Sequence, residues 1–156
     1  MKPKKQTKAD FCRQWGVPSP THLRYSGLKG VYWYWLSRQI RKEEWQKYGV
    51  CLTCQEKIPK WEEADCGHIL AASKCGFGLL FARRNLTIQH KKCNNPLFTP
   101  DAGVRNGINL DKRYGAGFSE KLLSERGKIT KEWDKATYEQ KIQELPSFQA
   151  WKVTCG

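Results

Sequence analysis

Two short pairs, Cys51-x-x-Cys54 and His90-x-x-Cys93, constrain this chain more than any other feature of it. A C-x-x-C turn aims two thiolates at one tetrahedral ion, and a second pair completes the shell; imidazole replaces one thiolate without changing the coordination number. Cys51, Cys54, His90 and Cys93 therefore read as one closed Cys3His set around a structural Zn2+, closed because no position is left for water or substrate. A redox role for Cys51 and Cys54 needs a strand–helix context that these residues lack. Cys12, Cys66, Cys75 and Cys155 have no partner at ligand spacing and read as small buried or free thiols. Seven cysteines, an odd number, in a chain whose basic start MKPKKQTKAD is followed by no apolar run, argue for metal or free thiols over a disulfide framework.

Charge narrows the class of partner. Lys and Arg number 28 against 15 Asp and Glu, a formal net charge of +13 over 156 residues. Such an excess favours a polyanion and salt-sensitive association. Arginine is scattered through the chain and aromatics are abundant, which favours nucleic acid over a merely solubilising charge. No stretch is apolar enough to span a bilayer, and no basic amphipathic helix with a clean apolar face suggests a membrane surface. The expectation is a soluble, intracellular, cytoplasmic protein.

Patterning suggests an α+β domain with helices on both sides of a small metal-bearing core. Residues 1–28 are rich in Lys, Pro and Ser and read as a basic arm that orders on a partner, with a short helix at Ala9–Trp15. Residues 29–156 read as a single domain. Val31–Lys47 has helical periodicity, with Trp33, Leu36, Ile40 and Trp45 near one stripe. Residues 49–98 change character, with a knuckle at Cys51–Cys54, a strand around Ala64–Ile69, another around Asn85–Gln89, and a helix starting near Lys91 or Lys92. After Pro96–Pro100, Gly- and Asn-rich sequence predicts a loop to Gly117. Helices are expected at Phe118–Arg126 and Lys131–Leu145, the latter stopped by Pro146.

Chemistry-bearing residues sit between and beside the ligand pairs. Asp65-Cys66-Gly67-His68 lies between them, and Asn94 follows Cys93 directly. A metal clamp on both ends brings His68 and Asn94 toward one another. Phosphodiester hydrolysis needs a base, a divalent ion and basic groups that hold the backbone. His68 can accept a proton near neutral pH; Asp65 and Asn94 offer oxygens to a hard cation such as Mg2+ or Mn2+. Arg83, Arg84, Lys91 and Lys92 flank these residues as candidate phosphate contacts, which position a strand without reading its sequence.

In order, C-x-x-C, D-x-G-H and N-L-x-x-x-H-x-x-C-N resemble the HNH (ββα-metal) nucleases. Within them the chain is most similar to the NinG/Rap recombination nucleases of lambdoid phages, through Leu79–Asn85 and the ending His90-Lys91-Lys92-Cys93-Asn94. The step from Asp65 to His68, with Asn following the last zinc ligand, also resembles the endonuclease VII class. The likeness covers about residues 31–98. It implies a ββα-metal core in which Asp65 and Asn94 hold the catalytic ion, His68 activates water and Asn85 holds the loop bearing the base. His90 departs from that family, which has cysteine there. The resemblance further implies DNA as substrate, branched or duplex, and a phage or prophage origin. Symmetric junction cleavage would need a homodimer, with the tryptophan-bearing Val31–Lys47 helix as its candidate interface. A non-catalytic zinc-ribbon module that binds nucleic acid explains charge and cysteines equally well, but leaves D-x-G-H and the Asn after Cys93 without a role.

Overall fold

The computed structural model describes residues 6–155, with the Cys155 side chain and residues 1–5 of the expected arm outside that description. Along the chain run α1 (Lys8–Gln14), α2 (Gly27–Lys47), β1 (Asp65–His68), α3 (Phe77–Leu80), β2 (Leu86–Gln89), α4 (Ala102–Tyr114), α5 (Phe118–Ser124), α6 (Lys135–Glu144) and α7 (Pro146–Cys155). Helices with one small sheet make this an α+β chain. It divides into two compact units, Met1–Gln39 with Trp133–Gly156, and Ile40–Glu132. That division differs from the expected arm of residues 1–28 on a single domain.

In the first unit, residues 8–28 form ordered structure. Thr7 caps α1, accepting from Asp10 N at 3.1 Å while its own N–H donates to the Asp10 carboxylate, a reciprocal arrangement that satisfies two helix-end donors. Cys12, Trp15 and Val17 are buried. Helix α2 buries Val31, Tyr32, Trp33, Trp35 and Leu36 in this unit, covering more than one stripe, as an interior helix does. The Trp35 indole donates to the Trp15 carbonyl at 3.0 Å and packs on Phe148 and Trp151. Trp33 and Trp35 are thus core residues of this unit, and neither presents an exposed face to a second copy. Asp134 caps α6 by accepting from Thr137 N at 2.8 Å. Leu145 is extended, as a residue before proline prefers, and Pro146 opens α7 instead of only ending α6. Proline suits a first helical turn because its missing N–H is unneeded there.

The second unit is organised by an antiparallel hairpin. Asp65 pairs with Gln89, Cys66 with Ile88, Gly67 with Thr87 and His68 with Leu86. Alternation puts Asp65, Gly67, Thr87 and Gln89 on one face and Cys66, His68, Leu86 and Ile88 on the other. The second set is the apolar face. Ile88 lies in a core with Cys51, Ile58, Ala64 and Cys93, covered by Trp45 and Cys54, and the Trp45 indole donates to the Ile58 carbonyl at 2.8 Å.

Buried polar groups line the opposite face. Glu44, only 1% exposed, is bonded by Thr87 at 3.2 Å, Arg83 at 2.7 Å and Arg113 at 3.1 Å. A buried carboxylate is tolerable only with such partners. Gln89 donates to Thr53 Oγ1 at 2.6 Å, and Thr53 donates to Asn106 Oδ1 at 2.8 Å.

Two expectations for residues 90–117 are corrected. No helix starts at Lys91 or Lys92: residues after His90 make one turn, closed by Asn94 N on the His90 carbonyl at 3.0 Å. Asn95 precedes Pro96, which disfavours helical backbone there. The expected loop is largely α4. Its Gly103, Asn106, Gly107 and Asn109 are poor helix formers, but Leu110 is buried and Asn109 donates to the Leu52 carbonyl at 2.7 Å. Asp111 accepts from Ser119 N at 2.8 Å, fixing the start of α5.

Candidate metal centre

The knuckle is a tight turn laid against β2. Cys51 N bonds the Glu56 carbonyl at 2.9 Å and Leu52 N the Ile88 carbonyl at 3.1 Å. Gln55 closes it at φ 62°, an unusual region for a side-chain-bearing residue; its amide compensates by donating to the Cys51 and Leu52 carbonyls at 3.1 and 2.6 Å. Because β2 ends at Gln89, His90 emerges beside this turn, and His90 N–H points at Cys51 Sγ at 3.3 Å.

All four ligand atoms of Cys51, Cys54, His90 and Cys93 lie within 4.8 Å of one another, with Cys54 Sγ and His90 Nδ1 3.3 Å apart. This cluster can hold a structural metal such as zinc. Burial pushes the Cys51 thiol up, but N–H groups of Cys54, His90 and Thr53 outweigh it and set that thiol below its ordinary value. Burial raises Cys54, helped by the Cys51 charge, and the same two causes push Cys93 up to about 12. One thiolate is thus favoured and the next two resisted, a crowding of negative charge that a divalent cation relieves.

The fold joins Asp65 and Asn94, which are 29 residues apart, by a bond from Asn94 Nδ2 to Asp65 Oδ2 at 3.2 Å. Gly67 sits beside them with no room to spare. A Cβ there would meet Gln89 Oε1 at 1.7 Å and Asn94 Oδ1 at 2.8 Å. Gln89 and Thr53 were not singled out from sequence. The signal that could have found Gln89 is the register, which puts it directly across from Asp65.

His68 ends β1 on the other face from Asp65. Its Nε2 lies 2.9 Å from the Leu80 carbonyl. A carbonyl only accepts, so Nε2 carries a proton; when the ring is neutral, the lone pair then falls on Nδ1. Asn85, fully buried, accepts from Leu70 N at 2.8 Å and donates to the carbonyls of Leu70 and Leu79 at 3.2 and 3.1 Å. It thereby ties the segment after His68 to the one whose next carbonyl holds the His68 ring.

The four candidate phosphate contacts differ. Arg83 is bonded to Glu44, with Glu43 at 3.7 Å, and Arg84 is paired with Glu125. Lys91 is exposed, and Lys92 is exposed with Glu56 at 3.8 Å. No protein-family model, curated protein or solved structure matches the chain. Among the described residues, no helix is long and apolar enough to cross a membrane.

Proposed function

We propose that this protein is a metal-dependent DNA endonuclease of the HNH type, with a structural zinc and a separate hard-cation site. The observation that carries the reading is the Asp65–Asn94 contact. Two oxygen-bearing side chains, far apart in sequence, meet beside a Cys3His cluster and next to the strand that ends in His68. The order β1, β2, α4 also supports it, with α4 tied to the hairpin's polar face through Asn106–Thr53–Gln89 and Arg113–Glu44–Thr87.

In this reading Asp65 and Asn94 hold Mg2+ or Mn2+, whose oxygen preference their groups match. The bound ion supplies electrostatic stabilisation of the charge that develops on the scissile phosphate. His68, set by alternation on the other face of the hairpin, would serve as base for a water reaching it around the end of β1, with the Leu80 carbonyl holding the ring through Nε2–H. Asn85 positions that carbonyl through its neighbour at Leu79. Exposed Lys91 and Lys92 hold the DNA backbone, whereas Arg83 and Arg84 brace the fold through glutamates. The +13 charge favours the encounter.

The test is cleavage of supercoiled plasmid, linear duplex and a four-way junction in parallel, with Mg2+ and with EDTA. Wild type should cut at least one of them in Mg2+ only. His68→Ala should retain zinc and DNA binding, yet lose cleavage about a hundredfold or more. A purified His68→Ala protein that cuts at the wild-type rate removes this mechanism. Wild type that binds DNA but cuts none of the three substrates leaves a zinc-ribbon binding module as the better description.

A further inference from the structure

We infer that Gln89 is a third oxygen ligand of the hard-cation site formed by Asp65 and Asn94, an inference that rests on the cation site of the proposed function. Gln89 is 2% exposed and sits opposite Asp65 on the same face of the hairpin. Its Nε2 is committed to Thr53 Oγ1 at 2.6 Å, and the Thr53 hydroxyl proton is committed in turn to Asn106 Oδ1 at 2.8 Å. That chain of donors turns Oε1 the other way. Gln89 Oε1 is buried and has no hydrogen-bond partner among the described residues.

A buried carbonyl oxygen with nothing to accept from is unusual in a protein interior and calls for an account. The surroundings supply one. Oε1 and Asn94 Oδ1 converge over Gly67, both within 2.8 Å of the point where a Cβ would lie. Asn94 turns its Nδ2 to Asp65, so its oxygen, like that of Gln89, offers lone pairs to the same space. Two amide oxygens and an adjoining carboxylate repel one another unless a cation lies among them. Mg2+ and Mn2+ accept carboxylate and amide oxygens together, with water or phosphate oxygens completing the shell. Glycine at 67 is what lets the two amides approach.

The experiment measures Mn2+ affinity directly, by the paramagnetic resonance signal of free Mn2+, on zinc-loaded protein without DNA. Wild type is compared with Asp65→Asn, Gln89→Met and Gln89→Glu. Each variant's unfolding in urea is recorded without Mn2+, and its thermal midpoint with and without Mn2+. Asp65→Asn should weaken Mn2+. Gln89→Met, which keeps the volume and loses the oxygen, should weaken it by about tenfold. Gln89→Glu should tighten it, and should gain more in thermal midpoint on adding Mn2+ than wild type does. Both Gln89 variants lose the bond to Thr53, so a packing role would shift both the same way, whereas a ligand role separates them in sign. If Asp65→Asn weakens Mn2+ but both Gln89 variants match wild type, or both weaken alike, the Gln89 inference is overturned and the cation site stands. If wild type binds no Mn2+, or Asp65→Asn changes nothing, the cation site itself falls and the Gln89 inference with it.

Discussion

Replacing Asn85 by alanine cuts the ties that hold the segment after His68. The amide makes three hydrogen bonds from a position with no exposure, to Leu70 N, Leu70 O and Leu79 O. At about 1 kcal/mol net for each, the loss is about 3 kcal/mol, and the backbone groups left behind are partly dehydrated. For a chain of this size that lowers the thermal midpoint by roughly 6–12 °C. Asn85→Asp keeps the size and the acceptor for Leu70 N, but turns an oxygen toward two carbonyls and introduces a buried charge. It should therefore destabilise at least as much as alanine. The assay is urea and thermal unfolding of zinc-loaded protein followed by tryptophan fluorescence, with zinc content measured on each sample. A loss below about 0.5 kcal/mol for alanine, the low end for a single bond, or an aspartate variant as stable as wild type, refutes the reasoning.

Purified protein should carry about one zinc per chain by elemental analysis, and Cys54→Ala should lose zinc and unfold at lower urea, because metal binding contributes folding energy; wild-type protein that binds no zinc contradicts the cluster assignment. In the metal-free chain, the Cys93 thiol is held up to about 12 from an ordinary 9.0, so the unfolded thiol ionises first. That contribution to stability is full below about pH 9 and lost as pH rises toward about 12, which urea titrations across this range should register. Zinc-loaded protein, whose thiols are already deprotonated, should lack this alkaline loss and release zinc on acidification instead. DNA affinity should fall steeply with salt, and Lys91→Ala and Lys92→Ala should each reduce the salt slope by about 1; an unchanged slope removes them as phosphate contacts.

Much of the second unit was legible because local chemistry leaves few choices. Metal-ligand spacing brought Cys51, Cys54, His90 and Cys93 together, and the short β-type runs on either side of Gly67 and Thr87 paired as a hairpin. Helix α4 was not legible. Its glycines and asparagines argue against a helix by propensity, and the groups that stabilise it, Leu52, Thr53 and Glu44, lie far away in sequence. Propensity is a weak prior when tertiary bonds decide. Pro146 shows the same limit from the other side. It marks a boundary, but only context decides whether the proline ends one helix or begins another.

The tryptophans of α2 read from sequence as packing first and as an interface only second, and sequence does not say which segments cover them. Here Trp15, Phe148 and Trp151 cover Trp35. Gln89 escaped notice because a glutamine at a strand end looks ordinary until register puts it opposite Asp65.

Register is therefore the quantity on which the candidate site depends. The two faces of the hairpin do different work: Ile88 joins the cysteine-lined apolar core, while Asp65, Gly67 and Gln89 form the oxygen-lined side. Because side chains alternate with a period of two, a slip of one residue exchanges the faces and scatters both sets. A two-stranded ladder this short is marginal alone. Its register is held from outside, by Leu52 N on the Ile88 carbonyl and His90 N on Cys51 Sγ at one end, and by Ile69 N on the Asn85 carbonyl at the other. The cysteine end of that clamp is also where a metal can bind. Zinc bound there would stabilise the chain and, through register, keep Asp65 and Asn94 in contact. Loss of zinc should then open the oxygen site even where helices α4 and α5 remain folded.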